Sequence, residues 1–296
     1  TLAKPYIPDT WVVSDGHSNI DAFLRQTPNS AITGELFLEL APGTIHYSPL
    51  DIDWEYSGGG ASVYLDTDTI HLVTGLGFTG GGGISSSIEL ARAALSEPNT
   101  TQTLRGDFYA ELADLDLLTL VFPELVRADG RISLGSHVGG TLTKPELSLD
   151  AKLADGRIEI PALGITPEHI NADVRLEPTG ATHFALNLKS GGTLKINGTA
   201  NLDNLQLNHA AISISGEKVT LSQTPELHLL ASPSININIQ KRVIRLTGDL
   251  FIPEAYARPR DLSGAVSASS DTVFTHTDEP TKDSAWDLYA DVRLRL

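Results

Sequence analysis

From Ser234 onward apolar and polar residues alternate strictly: Ile235, Ile237 and Ile239, then Ile244, Leu246, Gly248, Leu250 and Ile252. A period of two places such residues on one side of a β-strand, so each stretch has a greasy face and a polar face. The same period recurs upstream. It runs through Leu36, Leu38 and Leu40; Ile52, Trp54 and Tyr56; Val63 and Leu65; Ile70 and Leu72; Ile132 and Leu134; and Leu147 to Leu153. Further on come Ile158 and Ile160, Val174 and Leu176, Phe184 to Leu188, Leu194 to Leu202, Ile212 and Ile214, and Leu227 and Leu229. Each run is short and bounded by Gly, Pro, Asn or Asp, as strands closed by turns are. Trp286, Leu288, Ala290, Val292, Leu294 and Leu296 line a last strand, from which the sheet is expected to continue.

The helical period is rare. Asn19 to Gln26 predicts a short helix before Thr27-Pro28, and the crowded apolar stretch within Leu112 to Leu125 predicts a second, stopped at Pro123. Glycine precedes an alternating strand in Gly130-Arg-Ile-Ser-Leu-Gly135, in Gly140-Thr-Leu-Thr-Lys-Pro-Glu-Leu147 and in Gly192-Thr-Leu-Lys-Ile-Asn-Gly198. The spacing is irregular, so it predicts successive antiparallel hairpins and not a solenoid of fixed period. A long antiparallel sheet with one apolar face must close into a barrel, stack on a second sheet or bend into a trough. The alternation alone leaves the three open.

Composition narrows the choice. Aromatic residues are 6% of the chain, too few for the two interfacial girdles of a transmembrane barrel. A formal charge of −16 argues against nucleic acid, whose binding needs clustered Lys and Arg, and against anionic membrane surfaces. With no Cys there is no disulfide framework and no thiol chemistry. Met is also absent, position 1 included, which leads us to expect a piece of a longer chain with any membrane anchor outside it.

No constellation points to catalysis. His17, His46, His71, His137, His169, His183, His209, His228 and His276 are scattered without zinc-site spacing, and read as surface or strand-edge residues. Gly80-Gly-Gly-Gly83 lacks the Lys-Ser/Thr of a phosphate-binding loop and reads as a hairpin or bulge. Asp66-Thr-Asp68 and Asp114-Leu-Asp116 lack the central Gly and terminal Glu of a calcium loop. No enzyme activity, cofactor or metal is expected.

Several blocks, taken in order, resemble the TamB family, the AsmA-like bridge-type lipid transfer proteins of Gram-negative envelopes. They are Leu115 to Leu125 followed by Asp129-Gly-Arg-Ile; Gly140 to Leu147; Asp155-Gly-Arg-Ile-Glu-Ile-Pro-Ala-Leu-Gly164; Gly192 to Gly198; Leu246-Thr-Gly-Asp-Leu-Phe-Ile-Pro-Glu-Ala255; and Ser269-Ser-Asp-Thr-Val273. The likeness is dense over 105–296 and faint over 1–104, which is expected to be a strand-rich part of the same trough. It implies an all-β fold: an elongated antiparallel sheet folded into an apolar trough, a β-taco, with at most one or two short helices.

The resemblance also implies a function. A TamB-like protein is anchored in the inner membrane, spans the periplasm, contacts the outer-membrane barrel TamA at its C-terminal end, and is linked to phospholipid transport and outer-membrane protein assembly. The residues expected to line such a groove are Leu194, Ile196, Ile212, Ile214, Leu227, Leu229, Ile235, Ile237, Ile239, Ile244, Leu246, Leu250, Ile252, Leu288, Val292 and Leu294. The alternative is a chaperone-like module that offers strand edges to nascent outer-membrane barrel proteins without carrying lipid.

Overall fold

The structure is a computed structural model that describes residues 11–28, 30–47, 52–92, 103–113, 115, 122, 124–141, 143–203, 206–258 and 286–296. These residues form strands and turns, and the alternating stretches become the strands of a single sheet. The first two strands, β1 (Trp11–Asp15) and β2 (Ser18–Arg25), are successive halves of one path. They pair with the halves of a second, β2 with β3 (Thr33–Leu40) and β1 with β4 (Gly43–Tyr47). Both β3 and β4 then pair with the long β5 (Ile52–Leu65).

From there the sheet grows by antiparallel neighbours. They are β6 (Thr69–Phe78), β7 (Gly82–Ala91), β8 (Leu104–Leu112), β9 (Arg127–Thr141), β10 (Lys144–Glu159), β11 (Glu168–Leu176), β12 (Ala181–Ser190), β13 (Gly192–Asp203) and β14 (Gln206–Glu217). The next strand, β15 (Val219–Gln223), continues β14 after a kink, and both pair with β16 (Leu227–Gln240). The last ladder joins β17 (Val243–Ala257) to β16, and β18 (Asp287–Arg295) to β17. No ladder joins β18 to β2, so the described sheet is open, with β1 and β2 at one edge and β18 at the other.

Two expectations need correction. The helix expected over Asn19 to Gln26 is strand β2, in register with β3 through Ile20↔Leu38, Ala22↔Leu36 and Leu24↔Gly34. A helix this short is marginal on its own, and the sheet satisfies the same backbone groups with a partner already in place. The uniformly antiparallel sheet has one exception, because β18 runs parallel to β17. A parallel pair needs a crossover of a dozen residues or more, which the chain between Ala257 and Asp287 can supply and a tight hairpin could not. The centre of the second expected helix, 116–121, and the block Ser269 to Phe274 lie outside the described residues.

A line of irregularities crosses the sheet. Register shifts occur at Val13/Asp15, Tyr56/Gly58, Ala154/Arg157, Glu168/Asn171, Thr220/Ser222 and Leu230/Ser232. Along the same line β6, β7, β12 and β13 meet in turns and β14 kinks into β15. Bulges bend strands, and a row of them makes a crease. The strands bend toward the apolar face: Tyr56, Leu115, Ala128, Ile170, Val219 and Ala231, at or near the crease, are all buried. On the outside of the bend, Asp155 and His169 take positive φ, and the Asp155 carboxylate meets His169 Nδ1 at 2.9 Å. The crease divides a long wall from a short, interrupted one and gives the apolar face its concave profile.

Candidate functional site

In a β-ladder, residues directly opposite one another point to the same face, so the registers can be followed from strand to strand. One such row starts at Leu40 and passes through Gly59, Leu76, Ile84, Ala110, Leu134, Ala151 and Val174. It continues through Phe184, Gly198, Ile212, Ile237 and Leu246 to Ala290. Every position in it is apolar. Fourteen strands at about 4.8 Å each make a continuous path of about 60 Å.

Parallel rows widen the path in the C-terminal half. One runs Leu186, Ile196, Ile214, Ile235, Gly248 and Val292, and another runs Ala200, Ala210, Ile239, Ile244 and Leu288. Nearer the crease stand Leu188 and Leu194 on neighbouring strands, with Leu250 and Leu294 beyond. Leu227, Leu229 and Ile252 carry the same face across the bend toward the short wall. The residues named from sequence therefore share one face. Sequence reasoning missed its N-terminal half, from Leu40 to Phe184: the alternation was visible there, but only register joins it to Ile237.

The face is not a closed core. Ile237 and Leu246 are half-buried, and no large side chain is completely buried among the described residues. Substantial contacts run between sheet neighbours and from β12 and β13 to β15, and no second layer crosses the apolar wall among the described residues. A sandwich would have buried these side chains entirely against a facing sheet.

The wall changes character along its length. On β6, β7 and β9 the row through Ala61 becomes Thr74, Ser86 and Ser136, with Phe108 between them on β8. Thr74 Oγ1 and Ser86 Oγ lie 2.8 Å apart, so each hydroxyl has a partner on an otherwise apolar surface.

A cavity of about 980 Å³ lies on the opposite face. Its walls are the outward rows that hold Asp150, Arg175, His183 and Asn238, and Lys152, Asp173, Asn197 and Asn236. Leu149, Leu186, Ile196, Ile214 and Ile235, two residues along on the apolar side, do not border it, so it opens on the polar face. A twisted sheet is saddle-shaped, concave along its strands on one face and across them on the other. Arg175 Nε donates to Asp150 Oδ1 at 2.8 Å, and this hydrogen bond, with the charge behind it, raises the guanidinium pKa above its ordinary value.

Four of the eight described histidines stand with carboxylates, His169 with Asp155 among them. His46 faces Asp53 and His137 faces Asp107, each at 2.9 Å, while His228 meets Glu254 at 3.4 Å. His276 lies outside the described residues, as do Asp114 and Asp116. Among the described residues no group of three His, Asp or Glu is placed to hold a metal ion. Asp66 and Asp68 cap the β5–β6 turn, where their carbonyls accept from Arg92. The glycine run makes the β6–β7 turn, and a Cβ on Gly82, at φ +85°, would strike the Glu111 carbonyl.

No described helix is long and apolar enough to cross a membrane. No solved structure matches the chain. The family model of the TamB C-terminal domain matches residues 182–296, from β12 through β18, the part of the sheet where the apolar rows are widest. That match makes residues 182–296 similar to the TamB C-terminal domain.

Proposed function

We propose that this chain is a periplasmic segment of a TamB-like protein that shields phospholipid acyl chains on its apolar wall during transport between inner and outer membranes. The observation that carries the reading is the unbroken apolar row from Leu40 to Ala290 on a face that nothing described covers. From Leu194 to Ala200 the wall spans about 20 Å along β13. That exceeds the acyl layer of one leaflet, half of a hydrocarbon core of about 30 Å. A chain lying along the strands would thus be covered along its length, at about 0.8 kcal/mol per buried methylene, while its headgroup stays in water at the open side. No cofactor is required. A TamB-like protein of this kind would be anchored in the inner membrane and would contact a TamA-like outer-membrane barrel.

A second role, aid to outer-membrane protein assembly, is favoured by the open edges of the described sheet. β2 is exposed at every position, and Ile20, Phe23 and Leu24 stand in solvent. Such an edge offers unpaired main-chain groups to an incoming strand.

A photo-crosslinking residue tests the lipid path. Placed at Ile237 in the periplasm it captures phospholipid, identified by mass spectrometry, and placed at the adjacent Asn238 it does not. Equal capture at the two positions would refute the reading, because they point to opposite faces.

A further inference from the structure

The polar face has relief of its own. One outward row runs through Gly60, Gly75, Ser85, Tyr109, Gly135 and Asp150 to Arg175. Three depressions lie end to end along it, the central one sharing Val73 with the depression on β3 to β6 and Asp150 with the large cavity on β10 to β16. Their continuity makes a groove that crosses the strands.

The central depression, of about 510 Å³, has the most specific chemistry. Gly135 on β9 is the register partner of Tyr109 on β8 and of Asp150 on β10. A Cβ on Gly135 would meet nothing within 4 Å, so a gap two strand spacings wide, about 10 Å, lies between the Tyr109 and Asp150 positions. Tyr109 is 49% accessible and its hydroxyl is directed at Glu111, which leaves the ring beside an empty position. Two carboxylates border the gap, each held through one oxygen: Asp107 Oδ1 lies 2.9 Å from His137 Nδ1, and Asp150 Oδ1 accepts from Arg175 Nε at 2.8 Å. The second oxygen of each is left for another donor.

We propose that this groove binds a neutral, extended β-linked glycan, with one pyranose ring over Gly135, packed on Tyr109 and donating hydroxyl protons to Asp107 and Asp150. A sugar ring has C–H groups on its faces and hydroxyls around its rim, so it calls for an aromatic plane with fixed acceptors beside it, and hydrogen bonds to charged acceptors are the stronger kind. Other polymers fit less well. An extended polypeptide seeks main-chain partners, and the backbone groups of β7 to β10 are already paired in ladders. A polyanion is repelled by the carboxylates and by the chain's charge of −16. The inference goes beyond lipid shielding and does not rest on it, because the groove lies on the face opposite the apolar wall.

The probe is chitohexaose, a neutral β-1,4-linked oligosaccharide, titrated into the chain and followed by isothermal titration calorimetry. Saturable binding is expected. Gly135→Leu fills the gap without striking a neighbour, so it should keep the β circular dichroism and Tm and abolish binding. Tyr109→Ala should weaken binding about tenfold and Tyr109→Phe should retain it, because the ring is the contact. A polyuronate hexamer and a neutral Ser/Asn-rich peptide should not bind. Absence of chitohexaose binding, undiminished binding to Gly135→Leu or Tyr109→Ala, or equal binding of the polyuronate or the peptide would each overturn the proposal. Lipid capture at Ile237 stays unchanged in Gly135→Leu, so failure of glycan binding and failure of lipid shielding are told apart.

Discussion

At the scale of single residues, the same substitution type has opposite consequences according to what lies next to it. Ile237 is half-buried on an uncovered wall, so in Ile237→Asp water can follow the carboxylate, whose desolvation would otherwise cost several kcal/mol. We expect the variant to keep its β circular dichroism and to lose lipid capture. Unfolding would instead place Ile237 in a closed core. Gly248 stands in the alternating apolar row, and its backbone decides what its substitution should do. A Cβ there would lie 2.1 Å from the Ser234 carbonyl oxygen, at φ +135°. Gly248→Val should therefore not merely narrow a channel; it should break the β16–β17 ladder, at a cost of about 3 kcal/mol in urea unfolding. Gly135, where an added Cβ meets nothing, is the control: Gly135→Ala should be neutral or stabilising by up to about 1 kcal/mol.

At the scale of elements, the crease is the part of the fold that most resembles an ordinary core. Ile170 is 4% exposed, next to the paired bulges of β10 and β11. Ile170→Ala should cost about 2–4 kcal/mol, and Ile237→Ala, on the open wall, clearly less. Equal losses at the two sites in chemical denaturation would contradict a folded sheet with a dry crease and a wet wall. His169 holds φ +50°, so His169→Gly, which relaxes the backbone but removes the Asp155 partner, should change stability little, whereas His169→Val should destabilise. None of this was visible in the sequence. The period of two runs through both walls, and a bulge leaves no signature in it when the extra residue is an Asp or a His.

At the scale of the whole molecule, one sheet with no second layer among the described residues predicts a particle that is β-rich and elongated. Circular dichroism should show strand and almost no helix, and small-angle scattering should give a maximum dimension of at least the 60 Å or so of the apolar row. A compact, helix-rich particle would be incompatible with the ladders from β1 to β18. Stability in such a sheet comes from neighbour-to-neighbour contacts, so local damage should stay local except at the crease, where the buried residues concentrate.

The sequence by itself determined the strands and their two faces, because a side-chain period of two is a local property of extended backbone and is written in residues such as Ile235, Ile237 and Ile239. It also carried the order of blocks that marks the family in residues 182–296. Only the tertiary structure decided which faces join. Backbone ladders connect Leu40 to Ile237 across strands far apart in the chain, and pairing of that kind leaves no periodic trace in either segment. The crease, the open edges and the parallel seating of β18 belong to the same class, set by where main-chain hydrogen bonds find partners and not by the side chains that a sequence lists.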